Sequence, residues 1–359
     1  MTTSRPIRLL ILGTGGMANS HAAGFGAIPG VELVAAVDVS ADRLGAFLEK
    51  HRIGRGFESL GAALKWGAFD AVANVTPDSV HHATTLEALA AGKHVFCEKP
   101  LATDYPRALE MAEAAEGAGR VAMVNLTYRN VAELHTARNL VLAGALGEVK
   151  HVEASYLQSW LVSNAWGDWR SDPKWLWRLS TAHGSNGALG DIGIHILDFA
   201  GYGAASNVTR VFGRLKAFHK ADGDRIDEYV LNANDSFTLS AEFGNGALGV
   251  IHATRWAPGH INELRLRLYG DKGGVEVKHS KEGSSVRACL GEDVHSATWR
   301  TLRAEPVPTN YERFIAAVRA GATREPSFRH GAGLQRVLDA SMLTESERCE
   351  RAVDDALVD

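Results

Sequence analysis

From residue 7 to about residue 125, short aliphatic runs alternate with longer segments whose apolar residues recur at helical spacing. The runs Ile7–Leu12, Leu33–Val37, Ala71–Val75, His94–Cys97 and Val121–Val124 are almost continuously apolar, the pattern of strands buried on both faces. Between them, alanine-rich stretches such as Thr84–Ala91 and Tyr105–Ala118 can cover a sheet at helical period. This alternation predicts an α/β Rossmann domain, doubly wound around a mainly parallel sheet. After about Gly147 the period changes to two. Phe237, Leu239, Ala241 and Phe243 alternate with polar residues, Gly244-Asn245-Gly246 supplies a turn, and Ala247–Trp256 returns as a partner strand. Leu264, Leu266 and Leu268, then Gly270–Gly274 and Val275–Lys278, repeat the hairpin pattern. The second part is therefore expected to be an α+β domain with a large, mainly antiparallel sheet, closed by helices over Tyr311–Ala320 and Gly333 to about Arg351.

A length of 359 residues independently suggests two domains, and the change of pattern puts them at 1–125 and 126–359. With 45% hydrophobic and 22% charged residues, the chain has the composition of an ordinary globular protein. A net charge of -4 without any Lys/Arg run excludes the electrostatic footprint of a nucleic-acid or anionic-membrane binder, so the expected partner is a small molecule. Cys97, Cys289 and Cys349 are far apart and lack CxxC spacing, which argues against a disulfide framework or zinc cluster and suits a reducing cytoplasm. No run approaches the length of a membrane span and the first apolar run is too short for a signal segment, so an unprocessed cytoplasmic protein is expected.

The first strand is followed by Gly13-Thr14-Gly15-Gly16-Met17-Ala18, a GxGxxA match, and then a helical stretch. A dinucleotide site needs glycine at the tight turn, glycine where backbone approaches the pyrophosphate, and a small residue where helix meets strand. The pyrophosphate would lie at the helix N-terminus, met by free amides and the positive end of the dipole. Asp38 ends the second strand, where a carboxylate accepts hydrogen bonds from ribose hydroxyls. The plainer reading, glycines in an ordinary loop and Asp38 as a turn residue, accounts for each feature singly but not for their order. A carboxylate repels a 2′-phosphate and favours NAD, whereas Arg43, five residues on, offers that phosphate a partner and keeps NADP open.

Two further segments, Thr76-Pro77-Asp78-Ser79-Val80-His81 and the run from Ala91 to Glu98-Lys99-Pro100, join Trp177-Arg178 and Gly187-Ala188-Leu189-Gly190-Asp191-Ile192-Gly193-Ile194-His195-Ile196-Leu197-Asp198. In these motifs and their order the chain resembles the glucose-fructose oxidoreductase, inositol dehydrogenase and rhizopine catabolism family (Gfo/Idh/MocA) over essentially its whole length. The resemblance implies an NAD(P)-dependent oxidoreductase acting on a secondary hydroxyl of a sugar, cyclitol or related polyol. It implies Lys99, Asp191 and His195 as catalytic residues, and a cis peptide before Pro100. Gly13, Gly15, Gly16, Met17, Asp38, Arg43, Thr76, Pro77, His81, Glu98 and Lys99 become the expected cofactor contacts, with Arg129 near the nicotinamide. The antiparallel sheet of such proteins commonly forms a subunit interface, so a homodimer or homotetramer is expected. One departure is visible: where many relatives carry a glycine triplet, this chain has Ser185-Asn186-Gly187, and Asn186 is the residue expected to tolerate positive φ.

The same residues make chemical sense by spacing. Asp191, His195 and Asp198 fall within about 60° of one helix face, a polar stripe among Ile192, Ile194, Ile196 and Leu197. An imidazole with an ordinary pKa of about 6.5 suits removal of an alcohol proton. Lys99 belongs at the carboxyl edge of the parallel sheet, where such folds bind ligands. Singly, a lysine before proline is more often a surface residue and a histidine in an apolar helix more often a core group. The stripe also has the residue types of a metal site, but hydride transfer needs no metal and none is expected. Trp160, Trp166, Trp169, Trp175 and Trp177 cluster ahead of this helix and read equally as a pocket wall or a subunit interface. Arg170 and Arg178 flank them as anion ligands or structural ion-pair partners. The expected substrate contacts are Lys99, Trp166, Trp177, Arg178, Asp191 and His195. Two other functions remain open at this point, an NAD-dependent glycosidase using transient oxidation and a non-catalytic dinucleotide sensor of the same fold.

Overall fold

The computed structural model describes residues 5–353 and divides the chain into two compact units. The units are discontinuous: Met1–Thr127 with Pro308–Gln335, and Tyr128–Val307 with Arg336–Asp359, where the pattern along the chain suggested one cut after residue 125. A linear pattern shows where texture changes but not where the chain returns.

The first unit is built on β1 (Ile7–Leu12), β2 (Val31–Val37), β3 (Gly56–Phe57), β4 (Ala71–Asn74), β5 (His94–Cys97) and β6 (Ala122–Val124). They form one sheet in the order β3-β2-β1-β4-β5-β6, with every pairing parallel. That is the Rossmann order, whose reversal between β1 and β4 opens a crevice at the carboxyl ends of the strands. Leu9, Leu10 and Ile11 have no exposed surface, because helices cover both sheet faces. The helices are α1 (Ala18–Gly26), α2 (Ala41–His51), α3 (Leu60–Trp66), α4 (Asp78–Ala90) and α5 (Tyr105–Gly117). The returning segment adds the helix Asn310–Ala320, started by a capping box between Thr309 and Glu312. Its Tyr311 and Phe314 pack edge-on to Phe25, at ring distances of 4.9 and 6.0 Å, in the core that also holds Phe96.

The second unit contains β7 (Val149–Leu157), β8 (Val208–Lys216), the short β9 (Arg225–Ile226) and β10 (Tyr229–Val230), then β11 (Ser236–Phe243), β12 (Leu248–Thr254), β13 (Glu263–Gly270), β14 (Gly273–Ser280), β15 (Gly283–Leu290), β16 (Arg300–Leu302) and β17 (Arg351–Ala352). Nine of them make a sheet in the order β16-β15-β14-β13-β7-β12-β11-β8-β17, antiparallel except between β12 and β7. The alternation read in the sequence is physical here: Phe237, Leu239, Ala241 and Phe243 are buried and their neighbours Thr238, Ser240 and Glu242 exposed. Helices Ala132–Leu142 and Ile194–Gly203 lie on the buried face. The approach is close at Gly203, where a Cβ would stand 2.2 Å from Leu266. The final long helix begins at Phe328, five residues before the glycine at which its pattern was read, and ends at Glu347. Among the described residues, no helix is long and apolar enough to cross a membrane.

Candidate functional site

In the first unit the strand ends deliver the expected dinucleotide residues to one edge of the sheet. Gly13 follows β1 with φ +88°, and a Cβ there would lie 2.7 Å from the Val75 carbonyl oxygen, so both conformation and space require glycine. Gly15 and Gly16 are exposed and a Cβ would meet nothing within 4 Å, which leaves their backbone approachable. Met17 is exposed beside them, and α1 begins with neither a side-chain cap nor an acidic residue in its first turn. An uncapped, uncompensated helix start is suited to a phosphate. Asp38 holds this turn: its Oδ2 accepts from the Thr14 N–H at 2.9 Å and the Thr14 hydroxyl at 2.7 Å. Its Oδ1 accepts from the Ser40 N–H at 2.8 Å and from Arg43 at 2.9 Å. Burial alone would raise this carboxyl, but those donors outweigh it and hold the pKa at about 2. These residues fit a dinucleotide.

At the ends of β4 and β5 the side chains of Glu98 and His81 are engaged within the protein. Glu98 turns inward: its Oε1 accepts from Asn125 at 2.7 Å and lies 2.6 Å from His21 Nε2, while its Oε2 accepts from the Lys99 N–H at 3.2 Å. Burial raises this carboxyl too, yet the hydrogen bonds and charges of His21, Asn125 and Lys99 bring it to about 2. His81 is fully buried with its ring nitrogens 2.8 Å from the carbonyl oxygens of Pro100 and Thr76. Glu98 and His81 thus tie this edge of the sheet together by hydrogen bonds. Lys99 is half-buried, and the Lys99–Pro100 peptide is cis, as the resemblance implies. Thr76 is partly exposed and Pro77 exposed on the same edge. Sequence reasoning missed Asn74, which is fully buried and accepts from the Thr76 hydroxyl at 2.7 Å while donating to Thr84 and Thr85. A polar residue inside the aliphatic run Ala71–Val75 was its signal.

In the second unit the polar stripe does not survive as one face. Residues Leu189–Gly193 form a π-helical turn, and the regular helix starts only at Ile194. The extra residue in that turn rotates Asp191 relative to its α-helical position, a deviation that often marks functional sites. Asp198 is paired with Arg129 through two bonds of 2.6 and 2.7 Å, both side chains being buried. Arg129 is thereby tied to the helix Ile194–Gly203. Asp191 instead is 31% exposed and accepts from the fully buried Arg255 at 3.1 Å, with Arg178 Nε 3.9 Å from the same Oδ2. His195 is buried and its ring stands edge-on to Tyr128, 5.0 Å between centroids. Tyr128 and Tyr156 share a 2.5 Å hydrogen bond, and Tyr156 and Gln158 both donate to Asn262 Oδ1, at 2.8 and 2.7 Å. Burial pushes the Tyr128 phenol up to about 12, so this chain stays neutral beside the histidine.

Most of the tryptophan cluster packs together. Trp160 and Trp169 are buried with Leu161, Leu176, Leu179 and Leu231 in a small core of their own, and Trp166 and Trp175 pack against it. Trp177 alone of the five is exposed, with the Arg178 guanidinium 4.6 Å above its ring. Arg170 covers Trp169 at 4.4 Å. In the turn before Asp191, positive φ falls on Gly187 (+66°), not on Asn186. A Cβ on Gly187 would meet Asn234 at 2.5 Å, and Asn234 secures the turn by donating to the Asn186 carbonyl and accepting from the Ala188 and Leu189 N–H groups.

Residues 7–126 match the model of an oxidoreductase family with an NAD-binding Rossmann fold, and residues 134–276 match the GFO/IDH/MocA C-terminal domain. The chain is 27% identical over 315 residues to a levoglucosan dehydrogenase of Pseudarthrobacter phenanthrenivorans, covering 78% of each protein. It is 30% identical over 285 residues to D-glucoside 3-dehydrogenase of Escherichia coli, covering 77% of this chain and 78% of that one. A solved levoglucosan dehydrogenase, in complex with NADH and levoglucosan, superposes with a TM-score of 0.86 over 98% of this chain and all of the other; at 22% identity this speaks to the fold.

The Glu98 carboxyl lies at about 2 against an ordinary 4.5, so its contribution to stability is complete above pH 4.5 and is lost as pH falls toward 2. The loss is of the order of 3 kcal/mol. In urea unfolding at several pH values, Glu98→Gln is expected to flatten this acid limb; parallel curves for the two proteins would contradict it.

Proposed function

The chain belongs to the Gfo/Idh/MocA oxidoreductase family, and from that premise we propose that it reversibly oxidises a secondary hydroxyl of a sugar, cyclitol or related polyol, using NAD. Bound NAD supplies the acceptor for the hydride that leaves the carbinol carbon. His195 takes the hydroxyl proton, its imidazole being the group whose ordinary pKa lies near working pH. Lys99 donates a hydrogen bond to the same oxygen as negative charge gathers on it. Asp191 accepts from a neighbouring hydroxyl and orients the substrate. Trp177 and Arg178, exposed or half-exposed near that carboxylate's segment, are assigned to the ring and polar groups of the substrate. The observation that carries this reading is the contrast within one segment: Asp198 is consumed by a buried arginine, while Asp191 is clamped yet remains open to solvent.

The cofactor assignment gives Asp38 to the ribose. Its four hydrogen-bond donors fill a carboxylate's capacity, so a ribose hydroxyl must displace one, and Arg43 is the partner with an exposed side chain. We expect Arg43→Ala to leave NAD affinity within threefold and to weaken NADP about tenfold, read by fluorescence titration; equal effects on both would refute the assignment.

Turnover is expected when aldoses, inositols and sugar acids are screened by absorbance of reduced cofactor. His195→Ala and Lys99→Met should each lower kcat by roughly a hundredfold or more with cofactor binding retained. Wild-type turnover in His195→Ala, where chemistry limits the rate, would remove the histidine from its role.

We also assign the outer face of the nine-stranded sheet to contact with a second copy of the chain. Phe212, Leu248 and Val250 are exposed there, beside paired charges such as Arg267 with Glu153 and Glu276. An apolar strip rimmed by compensated charge suits a subunit interface. Sedimentation should give a dimer or tetramer, and monomer alone at micromolar concentration would overturn this.

A further inference from the structure

Arg255 has no place in the reaction as described, yet its guanidinium is the group that meets Asp191. The residue directly follows β12, and its main chain is fixed from two sides: its N–H donates to the Asp235 carbonyl at 3.0 Å and its carbonyl accepts from Leu161 at 3.4 Å. Its side chain has no exposed surface. One face lies over the Trp160 ring at 4.9 Å, Nη1 donates to the Arg178 carbonyl at 3.1 Å, and Nη2 donates to Asp191 Oδ2 at 3.1 Å. Nε is buried without a hydrogen-bond partner.

Such a group is expensive to bury, and packing alone would be served as well by an apolar side chain of similar size. Burial lowers the pKa of the guanidinium, while Asp191 and Asp235 act in the opposite direction. Asp235 takes Lys220 at 2.9 Å and the Phe218 N–H at 2.8 Å on Oδ2, and its Oδ1 is buried without a hydrogen-bond partner. Asp191 is the carboxylate that the Arg255 guanidinium hydrogen-bonds directly. The exposures differ in a telling way: Arg255 is 0% exposed and Asp191 31%, so the cation stands behind the carboxylate and leaves its front accessible. A rigid planar donor set on a ring, approaching one oxygen from the protein side, selects one rotamer of that carboxylate.

We propose that Arg255 is a positioning residue: its buried guanidinium holds Asp191 in a single orientation, from which the carboxylate receives a substrate hydroxyl. The proposal rests on the sugar-oxidising reading for the role of Asp191, but not for the clamp itself.

The test pairs Arg255→Met and Arg255→Lys with the same changes in an Asp191→Asn background. Asp191 is partly solvated and Asp235 keeps Lys220, so Arg255→Met is expected to fold and to bind NAD within threefold of wild type. On a sugar that the wild type oxidises, its kcat/KM should fall roughly tenfold to a hundredfold, mostly through KM, as loss of a charge-assisted hydrogen bond implies. Arg255→Lys should restore part of it. In the Asp191→Asn background either change should add less than twofold, because the residue acts through that carboxylate. Crystal structures should show Asp191 reoriented in Arg255→Met. Full independent effects in the Asp191→Asn background, an unaltered kcat/KM, or an unmoved Asp191 would overturn the proposal. If Arg255→Met does not fold, Arg255→Lys decides by the same cycle. If the wild type oxidises no sugar, the functional reading fails, and the orientation of Asp191 in the crystals still decides the clamp.

Discussion

A carboxylate taken out of water must be met donor for donor, and the edge of the parallel sheet is organised by the one that is most deeply placed, Glu98. It joins α1 through His21, the end of β6 through Asn125, and the first peptide of the Lys99-Pro100 turn through a main-chain N–H. Three pieces of chain at this edge of the sheet are thus tied by one group. The helix Asn310–Ala320 extends the network from the far end of the chain, since Asn310 donates to the Leu126 carbonyl at 2.9 Å and Tyr311 packs at 5.3 Å from the His21 ring. This explains why a segment nearly two hundred residues away belongs to the same compact unit: it closes the shell around a buried charge.

The second unit solves a similar problem twice with opposite outcomes. Asp198 and Asp191 sit seven residues apart and each meets an arginine. In the first pair both partners are buried and both carboxylate oxygens are used, which fixes the helix against the segment after Tyr128. In the second only the arginine is buried. The π turn over Leu189–Gly193 holds Asp191, whereas Asp198 lies in the regular helix that follows.

Much of this was legible because periodicity is local. Aliphatic runs gave five of the six parallel strands to within two residues, the two-residue β3 going unread, and the alternation at Phe237–Phe243 gave the antiparallel hairpin. The glycine turn was readable for a similar reason, since Gly13 and its neighbours act through backbone geometry that composition encodes directly. Side-chain partnerships were not. For Glu98 and His81, the place in a motif does not say which partners the side chains take inside the fold. Arg255 and Asn262 carry no motif at all. They reach the site through strand pairing, and nothing in the neighbourhood of Arg255 in the chain distinguishes it from Arg265 or Arg267, which lie on the open face.

That last comparison shows how much the dielectric setting, rather than residue type, decides the use of a charge. Arg267 bridges Glu153 and Glu276 on a solvated face, where ion pairs typically contribute no more than about 1 kcal/mol and can be exchanged. Arg255, twelve residues earlier, is sealed over Trp160 with a single open-faced carboxylate, where neither group can find water as a substitute on the buried side. A fixed charge in that setting has little to offer stability and a great deal to offer orientation. The tryptophans belong to this account as well: Trp160 contributes as the apolar plate that keeps water from the back of the clamp, and the small core around it is what keeps the plate in place.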